Sequence, residues 1–94
     1  KGWTALHIAA FKGHAECVRE LLQARGIDVN KVEENGGTAL HYAVAGGHAE
    51  CVRELLKARG IDVNKADKYG DTALHDAESK GHEECVRELQ QARE

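Results

Sequence analysis

Six histidines and three cysteines in 94 residues supply enough nitrogen and sulfur to raise a metal centre or an activated nucleophile. Their placement argues against both. His7, His41 and His75 occupy one slot, His14, His48 and His82 a second, and Cys17, Cys51 and Cys85 a third, each recurring every 34 residues. A residue repeated at that interval most simply does the same structural job each time. No Cys-x-x-Cys is present, and no His–Cys spacing matches a zinc site. Equivalent positions on stacked helices sit about 8–10 Å apart, whereas a disulfide needs Cα atoms within about 4.4–6.8 Å. The cysteine slot therefore reads as buried apolar packing of reduced thiols. Such thiols suit a cytoplasmic or nuclear compartment, or cytosolic expression. The single serine, Ser79, has no evident base and orienter around it, and no glycine-rich phosphate loop follows a strand. No catalytic residue, cofactor or metal is expected.

Composition narrows the class further. Charged residues make up 31% and the formal net charge is −3. Neither an apolar run near the ~20 residues of a membrane span nor a signal-peptide pattern is present, so no membrane association is expected. Acids interspersed among the bases argue against a nucleic-acid grip. Proline is absent, glycine numbers ten, and the four aromatics are Trp3, Phe11, Tyr42 and Tyr69.

The elements behind these slots are three copies of one unit. Thr-Ala-Leu-His begins at Thr4, Thr38 and Thr72, and Cys-Val-Arg-Glu-Leu at Cys17, Cys51 and Cys85. Residues 2–35 and 36–69 differ at ten of 34 positions, leaving 24 identities. Each copy reads as two short helices and a loop. Thr4 is a good N-cap for a helix through about Lys12, and Gly13 a good left-handed stop. A second helix over about Ala15 to Ala24 turns Cys17, Val18, Leu21 and Leu22 inward as one stripe. Glu16 and Arg19 are spaced to pair on the opposite side. Gly26 releases the chain into an exposed loop. Such short helices are marginal alone and need stacked neighbours.

The run Gly-x-Thr-Ala-Leu-His-x-Ala-x-x-x-Gly-His-x-Glu-Cys-Val-Arg-Glu-Leu-Leu, followed by Gly-Ile-Asp-Val-Asn, resembles the ankyrin repeat over essentially the entire chain. Two departures stand out: alanine replaces the family's proline after each threonine, and the period is 34 rather than about 33. The extra residue falls near Arg25 and Arg59. The resemblance implies an all-α solenoid of antiparallel helix pairs with projecting loops, divided as repeat 1 (2–35), repeat 2 (36–69) and a C-terminal capping repeat (70–94). It implies a non-catalytic scaffold that binds a protein through its concave face, formed by first helices and finger tips. It also implies that the first histidine slot ties neighbouring units together, while the Gly-His slot shapes the turn between helices.

In a repetitive array the information is in the differences. Most of the ten differing positions lie in the first helix, its entry or the finger tip, and all four aromatics are among them. Trp and Tyr are favoured interface anchors. The expected partner-binding surface is Trp3, Ile8, Phe11 and Lys12; Val32, Glu34, Tyr42 and Ala45; and Lys68, Tyr69, Asp71, Asp76 and Ser79. The alternative for Trp3 and Phe11 is that they cover the open end of the stack.

The two ends differ. Val44, Ala49 and Leu56 correspond to Glu78, Glu83 and Gln90 in the last unit, polarising a face with no following repeat. The first unit keeps Ile8, Ala10 and Leu22 and has no polar cap. Its face is either covered by preceding residues or adhesive, so a homodimer through it is a second expectation. An assembly module without an external ligand is accordingly the alternative function. The high identity between units resembles a designed or consensus-based ankyrin protein, with a recently duplicated natural array as the other origin.

Overall fold

The threonine of each Thr-Ala-Leu-His run starts a helix by a reciprocal lock. Thr4 accepts from the backbone N–H of His7 at 3.2 Å, and His7 Nδ1 accepts from the Thr4 N–H at 3.0 Å. This is a capping box in which histidine takes the place of the usual Glu or Gln. It recurs at Thr38 with His41 and at Thr72 with His75. The computed structural model describes residues 2–93, among which six helices and no strands occur. They are α1 (Ala5–Lys12), α2 (Ala15–Leu22), α3 (Ala39–Ala45), α4 (Ala49–Leu56), α5 (Ala73–Lys80) and α6 (Glu83–Arg93).

Two-residue turns fold α1 onto α2 and α5 onto α6, and a three-residue turn over 46–48 folds α3 onto α4. Gly13 closes α1 at φ 78°, a conformation that costs glycine little. Space there is tight as well as twisted, because a Cβ on Gly13 would lie 2.6 Å from the His48 ring. The second helix ends at Leu22, two residues short of the expected Ala24. Gln23 and Ala24 instead donate to Glu20 and Leu21, a tighter i→i−3 turn that satisfies the last carbonyls.

The pairs stack in two layers, α1–α3–α5 and α2–α4–α6. The middle pair is covered on both sides, so Leu40, Val44, Cys51, Val52 and Leu55 are fully buried, joined by Val18, Cys85 and Leu89. Each leucine so buried contributes about 1.5–3 kcal/mol. At the far end Glu78 and Gln90 are exposed where Val44 is buried and Leu56 half-buried.

The near end corrects one expectation. Cys51 and Cys85 are buried, but Cys17 is exposed. This slot is covered by the second helix of the preceding unit, and α2 has no such neighbour among the described residues. Cys17 and Leu21 therefore line an open apolar groove with Ala5, Glu16 and Glu20.

The side chains that join the units are the repeated ones. His7 Nε2 donates to the carbonyls of Lys31 and Gly37, at 2.9 and 3.1 Å. His41 Nε2 donates to the Asp71 carbonyl at 2.8 Å. In the Gly-His slot, His48 Nε2 reaches back to the Phe11 carbonyl at 3.0 Å, so this slot too fastens units rather than only shaping its own turn. Asn30 clasps the next loop, donating to the Gly60 carbonyl and accepting from the Asp62 N–H, both at 2.8 Å. The expected Glu16–Arg19 pair does not form. Arg19 instead crosses to Glu54 at 3.4 Å, and Arg53 crosses to Glu88 at 2.9 Å and Glu84 at 3.5 Å. Within a stack, an acid one repeat away competes on equal terms with one three residues away.

Candidate interaction face

The first-helix layer and the loops beside it carry every expected partner-binding residue, and none of the thirteen is buried. Trp3, Ile8, Phe11, Lys12, Val32, Glu34, Lys68, Tyr69 and Ser79 are exposed; Tyr42, Ala45, Asp71 and Asp76 are half-buried. The structure gathers them into two groups.

The first group is aromatic. The Trp3 ring lies 4.4 Å from Tyr42 and 6.0 Å from Phe11, while Phe11 and Tyr42 meet edge to face at 6.1 Å. The buried ring of His7 completes the cluster from below, 6.0 Å from Trp3 and 5.8 Å from Tyr42. Such contacts are worth about 0.5–1.5 kcal/mol beyond buried area, so Trp3 and Phe11 are partly held by each other. They stay 40% and 48% exposed, which leaves a little under half of each residue's surface open to a partner.

The second group is a groove between α3 and α5 and the adjoining loops, where Tyr42, Ala45, Tyr69 and Asp76 meet Glu33 and Asp67. Glu33 is only 4% exposed. Burial alone pushes its carboxyl up, but the N–H groups of Gly37 and Asn35 and the Tyr42 hydroxyl outweigh that and hold it below the usual range. The same burial, with the bond and charge of Glu33, pushes the Tyr42 phenol up to about 12. Gly37 makes this arrangement fit, since a Cβ there would stand 3.0 Å from both Glu33 Oε1 and Tyr42 Cε2. Asp67 repeats the loop role of Glu33 one unit on, accepting from the N–H groups of Tyr69 and Asp71 at 2.9 and 3.0 Å. Burial raises the Asp76 carboxyl, against the pull of His41 and with the push of Asp71 and Asp67.

Ile8, Lys12, Val32, Glu34 and Ser79 sit on the same elements but outside both groups. Lys68 lies over Tyr69, its Nζ 5.4 Å from the ring centre. Asp71 contributes its backbone, not its carboxylate, to the tie with His41. Glu33 and Asp67 were absent from the expected surface although they differ between units. The signal was there: the slot changes residue yet stays acidic. His41, Asp67 and Asp76 bring ligand atoms within 4.8 Å of one another. Both ring nitrogens of His41 are already engaged, Nδ1 accepting from the Thr38 N–H and Nε2 donating to Asp71. A metal would therefore find only carboxylates there unless the unit-to-unit bond broke.

Helix pairs stacked in two layers, joined by a histidine that locks its own helix and fastens the next loop, define a repeat scaffold. The family model of ankyrin repeats, in three copies, matches residues 1–67 and 25–93, and the chain belongs to the ankyrin repeat family. It is similar to the human ASB11 ankyrin repeat domain, with a TM-score of 0.86 and 36% identity. That match covers 96% of this chain but 40% of the other. No curated protein matches the sequence. Ankyrin repeats are protein–protein interaction modules, and the fold is typically a non-enzymatic scaffold. No helix among the described residues is long and apolar enough to cross a membrane.

Proposed function

We propose that this chain binds a protein partner through its concave face, formed by the first helices and finger tips. One observation carries the reading. Among the described residues, all five large exposed hydrophobic ones, Trp3, Ile8, Phe11, Val32 and Tyr69, lie on that layer, and none lies on α2, α4 or α6. An apolar patch so segregated, with a charged and polar margin, is the form of an interface. The ties between units keep the face rigid, so little conformational entropy is lost on docking. A cytoplasmic or nuclear setting fits three unpaired thiols, and a designed or consensus origin fits the near-identity of the units. The test is affinity capture with the intact chain, the double variant Trp3→Ala/Phe11→Ala, and Arg87→Ala as a control on the other layer. Proteins captured by the first and third but lost from the second support the reading. Capture that survives the double variant and fails with Arg87→Ala overturns it.

A second reading is self-assembly without an external ligand, favoured by the open groove along Ala5, Cys17 and Leu21. Light scattering across concentration separates the two. Dimers whose formation is blocked by Leu21→Glu support assembly, and a strict monomer at high concentration eliminates it.

A further inference from the structure

The groove between α3 and α5 has a composition that a generic protein-binding face does not require. Three carboxylates line it, Glu33, Asp67 and Asp76, against one ammonium, Lys80. Lys80 forms no ion pair there among the described residues, and neither do Asp67 and Asp76. Two tyrosines flank the acids. Tyr42 is pinned by Glu33, while Tyr69 is 69% exposed. The cavity is about 230 Å³, below the ~300–1,000 Å³ typical of small-molecule pockets and in keeping with one side chain.

We propose that this groove takes the guanidinium of an arginine side chain presented by the protein partner, held by Asp76 and Asp67 and stacked on Tyr69. This rests on the protein-binding reading above and specifies the partner's chemistry. The carboxylates stand on separate elements, Asp76 on α5 and Asp67 in the loop before it, within 4.8 Å of each other. A planar fork with five donors can span two such acceptors, and a point-charge ammonium cannot do so with the same geometry. Tyrosine faces favour the same group, because guanidinium stacks on aromatic rings. Tyr69 already holds a cation, Lys68, near its ring. The raised carboxyl of Asp76 marks an acid whose charge is incompletely compensated, so an arriving cation relieves an existing cost. The carboxylate of Glu33 adds negative potential without a contact of its own, being already engaged by Gly37.

The test is an amide NMR titration of the full chain with a blocked Gly-Arg-Gly peptide, set against the same peptide carrying citrulline, a neutral near-isostere. The expected result is saturable shifts at Tyr42, Tyr69 and Asp76 with arginine and none with citrulline. Asp76→Asn should weaken binding about tenfold, as loss of a charge-assisted pair implies, and Lys80→Ala should strengthen it. The Asp76 carboxylate makes no hydrogen bond among the described residues, its backbone N–H alone donating to Thr72, and the citrulline comparison uses the unaltered chain. Equal binding of citrulline, shifts centred on Trp3 and Phe11, or no shift at millimolar peptide would each overturn the arginine assignment. All three leave the protein-binding reading to the capture experiment.

Discussion

The junction between the first and second helix pairs and that between the second and third share a histidine and an arginine fastening and differ in what they display. In both, a histidine of the Thr-Ala-Leu-His run crosses to the next loop, and an arginine of the second helix crosses to the next glutamate. Above these common ties the first junction presents Trp3, Phe11 and one side of Tyr42, and the second presents Tyr69, Asp67 and Asp76. Cohesion is carried by the side chains that repeat and surface character by those that do not. A solenoid can therefore change its binding chemistry one junction at a time without renegotiating its stability.

Substitution at the histidine slot should separate the junctions most sharply. His7→Ala removes a helix lock, takes from the Lys31 carbonyl its one donor among the described residues, and leaves the Gly37 carbonyl only the Glu33 N–H. The expected loss is about 2–3 kcal/mol. His41→Ala removes the same lock and one of two donors to the Asp71 carbonyl, which keeps the Asp67 N–H, and should cost about 2 kcal/mol; His75→Ala, with a cap but no crossing bond among the described residues, should cost about 1 kcal/mol. Urea unfolding of the three variants checks the order. Equal losses at all three would mean that the histidine acts through its own helix alone.

Alkaline titration probes the residue where the junctions meet. Tyr42 ionises at about 12 in the fold, above its ordinary value of 10.0. A raised folded value means that the native state holds its proton longer than the unfolded chain does. Stability from this group is therefore whole below pH 10 and is lost as pH climbs toward about 12. Phenolate absorbance should show a late tyrosine that disappears in Tyr42→Phe. Glu33 behaves oppositely at the acid end, its contribution present above the ordinary 4.5 and lost as pH falls through its lowered value.

The smallest difference is expected at the crossing arginines. Arg53 meets two glutamates and Arg19 meets one, and both are substantially exposed. Each alanine variant should lower stability only slightly, Arg53→Ala more than Arg19→Ala, and salt should erase the gap. A deficit persisting in molar salt would point to packing of the arginine stems instead.

Helix starts and the two-layer stack were legible because a period of 34 states them three times over, and the polar far face because the last copy departs from the others at Glu78, Glu83 and Gln90. What escaped depended on context that identical copies cannot express. Cys17 and Cys51 are the same residue in the same local sequence, and only the neighbouring helix makes one buried and the other exposed. Arg19 had an acid three residues back and another one repeat ahead, and the stack placed the second closer. The acidic groove was hidden differently. Glu33 and Asp67 each serve their own loop, and only the folded stack brings Asp67 beside an aspartate from the following helix.

Tyr42 has one consequence for anyone who alters this face. It stacks on Trp3 at one junction and lines the acidic groove at the other, so the two regions share a partition. Changes in neighbouring groups that touch a common side chain do not add. Replacing Trp3 should therefore alter how much Asp76→Asn costs in binding, and a double-mutant cycle on that pair should return a non-zero coupling that vanishes once Tyr42 is alanine. Alanine scanning one residue at a time would misattribute that shared energy to whichever partner was removed first. Epistasis across this seam is built into the position of a single ring.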